Sequence, residues 1–292
     1  MQKLGAFARR TLQEYAPDPH TLAEALGYTR DLAERIYPRV VNKLSSEPIE
    51  DFRIDFEEGF GERSDEEEDH FAQGAAEEVA PATCCRSISS SRCRKSRRSA
   101  CGIIAGHQHL LHPACDLAKH MMQVALAGTG IWTSDGATNI LPVGPHRASP
   151  DAPLTPAQLD ENRRAVHHAW RLHAEHVRHS LVDGFYQGWD LHPAQLPTRY
   201  AAVYAFFLEG LDAASERLRN MLQRAATATL TGEIRDDDAP TGQGTLNRFE
   251  RAMNCGAITE EAAVEMTGLT LPELHSKSFA NILANRRRSA PQ

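Results

Sequence analysis

Apolar positions recur at helical spacing over most of the chain. Residues 8–35 read as two helices separated by "APDPHT", where Pro17 and Pro19 act as breakers and Thr21 caps the second. In "EPIEDFRIDFEEGFG" the period shortens. Ile49, Phe52, Ile54 and Phe56 form a short strand-like run ending at Gly59 and Gly61. Ser64 then caps a helix with acids in its first turn. "HPACDLAKHMMQVALAGTG" reads as a helix closed by Gly128 and Gly130, and "IWTSDGATNILPVGP" as a second strand region broken at Gly136. A long helix follows over "TPAQLDENRRAVHHAWRLHAEHVRHSLVDGF", capped by Thr155, begun by Pro156 and striped by Val166, Trp170, Val177 and Leu181. "FYQGWDLHPAQLP" supplies a third strand. From Thr198 onward the pattern is helical, as one long helix or two and then shorter ones with Thr259 and Thr270 as caps.

Three strands, each followed by a helix, give the βα rhythm of a parallel sheet. The expected fold class is therefore α/β, although three strands fall short of a complete barrel.

Composition narrows the function classes. With 41% hydrophobic and 24% charged residues and a net charge of −7, the chain reads as a globular protein and not, as a whole, a nucleic-acid binder. One segment departs from the rest: Cys84–Arg98 carries six basic residues, no acidic ones and three cysteines, after a Glu50–Glu78 stretch with thirteen carboxylates and two arginines. It lacks the aromatic residues on which single strands stack, so nucleic acid is not an expected partner. No run approaches the roughly 18 apolar residues of a membrane span, and the N-terminus lacks the apolar core of a secretory signal. A cytoplasmic location with reduced cysteines is expected.

Several clusters could carry chemistry. Asp55, Glu57 and Glu58 sit at the end of the first strand, where acids, bases and metal ligands gather, or form an acidic loop before a helix N-terminus. "GWDLHPAQ" places Asp190, His192 and Gln195 at the end of the third strand, with a structural turn histidine as the alternative. His107, His109, His112 and Cys115 with Cys84, Cys85, Cys93 and Cys101 suggest a metal box, but the cysteines lack the paired spacing of structural zinc. The five histidines of "VHHAWRLHAEHVRHS", flanked by arginines, read as a solvated basic helix face.

With the strands so placed, the chain resembles the citrate lyase β-subunit-like (HpcH/HpaI aldolase) family. The resemblance rests on "EPIEDFRIDFEEGFGERSDEEEDHFAQGAAEEVA", "CGIIAGHQHLLHPACDLAKHMMQVALAGTGIWTSDGATNILPVGP" and "HHAWRLHAEHVRHSLVDGFYQGWDLHPAQLPTRYAAVYAFFLEGL", and extends to "GLTLPELHSKSFANILANRRR". It implies a TIM-barrel-like (β/α)8 fold and a Mg2+-dependent carbon–carbon lyase or aldolase acting on a small oxo- or hydroxy-acid. It assigns catalytic roles to Asp55, Glu57, Glu58, His192 and Gln195, and substrate contacts to Asp135 and Asn139. The barrel is incomplete: residues 1–82 hold one strand, 83–100 are a Ser/Arg/Cys-rich junction, 101–197 hold the seventh and eighth strands, and 198–292 form a helical extension. The strands that bring the family's metal ligands have no counterpart, so impaired catalysis is expected. A deletion or frameshift in the gene is one explanation. The alternative function is a non-catalytic helical module that assembles with itself or with a full-length paralogue.

Overall fold

The computed structural model describes residues 2–50, 63–79, 110–129, 133–149, 152–186, 188–231 and 238–289. Among them the secondary structure is helical. The expected α/β class and the barrel-like architecture are overturned, because no strand ladder forms among the described residues. Of the three expected strands, the first lies largely outside the described residues. The other two run extended and meet at one isolated parallel bridge, Ala137 with Trp189. Pro142, Pro145 and Pro193 remove backbone donors from these segments. The carbonyls of Thr138 and Ile140, which a neighbouring strand would need, accept instead from the side-chain amide of Gln195 at 3.1 and 3.4 Å.

Three helices begin the chain: α1 (Gln2–Tyr15), α2 (Pro19–Leu26) and α3 (Arg30–Ser46). Pro19 starts α2 rather than breaking it, and the N-cap is Asp18, which accepts from the Thr21 backbone N–H at 2.8 Å. The next helices are α4 (Asp65–Val79), preceded by the expected Ser64 cap, and α5 (Pro113–Leu126). The 27-residue α6 (Pro156–Val182) opens with a capping box between Thr155 and Gln158. A 3-10 turn at Pro193–Gln195 leads into α7 (Leu196–Glu209), and Gly210 separates this from α8 (Leu211–Thr231). The chain finishes with α9 (Asp238–Asn254), α10 (Glu260–Thr267), α11 (Leu271–His275) and α12 (Phe279–Ser289), with Thr259 and Thr270 capping α10 and α11.

One apolar core runs through α1–α3 and α6–α12. Helix α7 is its hub: Tyr200 to Ala205, Phe207 and Leu208 are buried almost all round, as a central helix requires. Trp170 of α6 is fully buried, donates to the Ala194 carbonyl at 2.8 Å and stacks on His167. Helix α5 stands apart from this core. Its one buried residue is Lys119, while Leu117, Met121 and Val124 are 62%, 64% and 78% exposed.

The segment 133–149 is an irregular strap lying along α6. Steps of four and three residues put Asn162, Val166, Ala169, His173, His176 and Ser180 on one buried face of that helix. The polar members of this face hold the strap in place of a ladder. Asn162 accepts from the His146 backbone N–H and donates to its carbonyl, at 2.8 and 2.9 Å. The approach at that end is so close that a Cβ on Gly144 would meet Asn162 Cγ at 2.5 Å. His173 and His176 both contact Thr138, and Ser180 donates to Asp135 at 2.5 Å. The histidines of α6 are therefore not a solvated face. Two are buried pegs, and the arginines point elsewhere, Arg171 to the carbonyls of Glu24 and Ala25 and Arg178 to Glu209.

Candidate functional site

Beyond the end of α6 the strap, α5 and the α6 C-terminus meet in a cluster of charges centred on Lys119. Its ammonium lies 3.1 Å from Asp116, 3.1 Å from Asp135 and 3.3 Å from Asp183. Burial alone would lower the lysine pKa, but the three carboxylates outweigh it and hold the pKa above the ordinary value. Lys119 is thus a fixed cation at neutral pH and not a free amine nucleophile. Asp135 also accepts from the Gly136 backbone N–H at 2.7 Å, so both its oxygens are engaged.

His179 closes the solvent side of the cluster. Its Nε2 stands 2.9 Å from Asp116 and 3.3 Å from Asp183, and its contact holds the Asp116 carboxyl below the ordinary range. One ligand atom each from Asp116, His179 and Asp183 falls within 4.8 Å of the others, close enough together that the three could hold one metal ion. Three carboxylates face one ammonium here, an excess of two negative charges that suits a divalent cation. Because both ligand carboxylates, Asp116 and Asp183, also pair with Lys119, any such cation would share them.

The second polar constellation lies inside the fold. Arg199 donates from Nε to both oxygens of Asp190, at 3.0 and 2.8 Å. Asp190 in turn stands 3.1 Å from His173 Nε2, off the straight line of a strong hydrogen bond. Burial opposes ionisation of Asp190, yet Arg199 and His173 prevail and bring its pKa down to about 2. His173 Nδ1 is 2.9 Å from Thr138 Oγ1, which is 3.0 Å from His176 Nδ1. An Asp–His–Thr series has the outline of a nucleophilic triad, but Thr138 is 2% exposed and no substrate can reach it. Its work is to hold the strap.

The residues singled out in the sequence are distributed unevenly. Asp55, Glu57 and Glu58 lie outside the described residues, as do Cys84, Cys85, Cys93, Cys101, His107 and His109. His112 caps α5 through its ring nitrogen. His192 caps the 3-10 turn in the same way and packs edge-on against Phe7, its pKa lowered by burial. Gln195 is fully buried, accepts from the backbone N–H groups of Leu191 and His192, and donates to the strap. Asn139 is exposed on the strap, and Asp135 is buried against Lys119. Gln195 thus bonds to the segment that carries Asp135 and Asn139, whereas His192 faces α1. The cluster of Asp116, Lys119, His179 and Asp183 was not singled out. Its signal was there in "DLAK" and "HSLVD", whose charged residues sit three and four positions apart on helices.

No curated protein and no solved structure matches the chain. A family model described as "Domain of unknown function (DUF6986)" matches residues 1–91 and 97–282. This match, together with the helical fold, overturns the resemblance to the citrate lyase β-subunit-like family and the barrel it implied. With most of its length matched, including all of the Cys84–Arg98 run but residues 92–96, the chain belongs to the DUF6986 family.

Proposed function

We propose that the chain binds a divalent cation through Asp116, His179 and Asp183 and acts on a small oxo- or hydroxy-acid beside it. The observation that supports this reading is the convergence of three ligand atoms within 4.8 Å in a cluster with excess negative charge. The bound cation would polarise a substrate oxygen as a Lewis acid. Lys119 adds a permanent positive charge next to the same point. Its ammonium is already engaged by Asp116, Asp135 and Asp183, so it acts on a developing enolate oxygen through its field and not by direct contact. Carbon–carbon cleavage or formation beside a carbonyl is one reaction class that draws on such a pair of charges. Imidazole as one of three ligands favours Mn2+ or Zn2+ over the Mg2+ that the family resemblance implied.

Isothermal titration of the full chain with Mn2+ tests the site. Saturable binding that is lost in both His179→Ala and Asp183→Asn is expected, and its absence up to millimolar metal overturns the reading. Retro-aldol turnover of short oxo- and hydroxy-acids, dependent on the same metal, tests the reaction class.

A second reading, self-assembly through α5, is favoured by the exposed row Leu117, Met121 and Val124 at helical spacing on a helix that contributes no apolar side chain to the core. Its occupant would be a second copy of the chain. Light scattering of the wild type and of Met121→Lys decides it: a dimer converted to a monomer supports the reading, and a wild-type monomer removes it. Among the described residues, no helix is long and apolar enough to cross a membrane.

A further inference from the structure

The strap has no ladder to hold it, so its side-chain pegs decide whether it stays on α6. The Thr138 hydroxyl joins the two rings, 2.9 Å from His173 Nδ1 and 3.0 Å from His176 Nδ1, so with both rings neutral it donates to one and accepts from the other. Asp190 beside His173 Nε2 favours the arrangement in which His173 Nδ1 accepts from Thr138 and the Thr138 oxygen accepts from His176 Nδ1–H. A proton added to His173 Nδ1 turns that acceptor into a donor, so the contact must reverse, with His176 moving its own proton to the buried Nε2. It also places a charge on a residue 1% exposed.

We propose that the His173–Thr138–His176 contact is an acid-sensitive latch, and that protonation of His173 releases the strap from α6 and withdraws Asp135 from Lys119. Release depends only on the strap contacts. Its consequence for cation binding rests on the reading given under Proposed function.

The charged groups that act on His173 are Asp190, from the turn before α7, and Arg199, on α7; His176 of the same helix faces it across Thr138. Burial, the largest influence, outweighs the attraction of Asp190 and lowers the His173 pKa, and Arg199 adds to the lowering. Since the latched state disfavours the proton and the released state accepts it at the ordinary histidine value, protons favour release. The latch is therefore intact above about pH 6.5 and weakens as pH falls below it, by at most about tenfold in the opening equilibrium per pH unit for one proton. The amide pegs Asn162 and Gln195 have no proton to gain, so they do not add to the slope.

Hydrogen exchange of the full chain, followed by mass spectrometry from pH 8 to pH 5 and corrected for intrinsic rates, tests the proposal. Peptides covering 133–146 are expected to lose up to about tenfold protection per pH unit below pH 6.5, while α7 keeps its protection. His173→Gln, which cannot be protonated, is expected to abolish the slope. His146→Gln is expected to preserve it, because His146 lies at the strap's surface end beside Glu161. The same slope in His173→Gln, or loss of α7 protection in step with the strap, overturns the latch. If His173→Gln does not fold, the histidine ring titration of the wild type by NMR decides. A His173 midpoint below 6.5 supports the proposal, and one at or above 6.5 refutes it. Strap exchange is read without metal, so a failure to bind Mn2+ leaves this result standing and a failed latch leaves the cation reading standing.

Discussion

Replacing Arg199 with methionine tests whether the Asp190 pair holds the turn before α7 to the rest of the fold. The pair is well shielded, with side chains 13% and 17% exposed, and both Asp190 oxygens accept from the guanidinium Nε. The Asp190 pKa falls from 3.8 to about 2, worth about 2 kcal/mol of stability at neutral pH by linkage. The folded-state pKa is the lower one, so this contribution is fully present above about pH 4 and is lost as pH falls toward 2. In Arg199→Met the carboxylate stays buried without its cation, which costs about 3 kcal/mol at pH 7. Burial then raises the Asp190 pKa, so the variant recovers stability as acid neutralises the group, whereas the wild type declines. Urea unfolding at pH 7, 5, 4 and 3 measures both arms. Adding Asp190→Asn to Arg199→Met should restore most of the loss. A cost under about 1 kcal/mol, or an acid slope identical to that of the wild type, would refute the pairing as the source of the stability.

Trp170→Ala removes the largest fully buried side chain and its hydrogen bond to Ala194, and thermal or urea unfolding should register a loss of about 4 kcal/mol. Gly144→Ala forces the strap off Asn162, so exchange protection at 133–146 should fall while the melting temperature changes by only a few degrees. Lys119→Met leaves Asp116, Asp135 and Asp183 without their common cation and should cost about 3 kcal/mol in urea unfolding. If the cation reading holds, the same variant binds Mn2+ at least tenfold more tightly by titration calorimetry, because the competing ammonium is gone. Burial pushes the Cys255 thiol up to about 12, so its alkylation in the native protein should be on the order of 100-fold slower than in urea.

The helices were legible where local chemistry alone determines them. Thr155 followed by Pro156, Ser64 before its acids, and Thr259 and Thr270 each carry their own signal within four residues, and each caps as expected. The extended segments misled because alternation reports that a chain is extended, not that it has a partner. "SDGATNILPVGP" and "GWDLHPAQ" touch at one bridge, after which prolines and the Gln195 amide take up the groups a ladder would use. Asp18 capping Thr21 was missed for a smaller reason: Pro19 fits the first turn of a helix as well as it breaks one.

The histidines of α6 show why the site was less legible than the helices. Histidines at spacings of three and four mark a polar stripe, and a polar stripe normally faces water. Here the stripe faces chain that is itself polar and nearly free of backbone pairing. Burying His173 therefore depends on Thr138, thirty-five residues away, and burying Ser180 depends on Asp135, forty-five residues away. Neither dependence leaves a periodic trace. The same arrangement makes the strap responsive. A ladder would spread its hold over many hydrogen bonds that no pH change near neutrality can touch. Side-chain pegs concentrate it on Asn162, Gln195, Ser180, Lys119 and two histidines, and a proton on His173 puts a charge on a residue that is 1% exposed. A single proton there acts on the segment that carries Asp135 into the Lys119 cluster, so a histidine from the stripe that reads as a solvated face lies where it can reach the site.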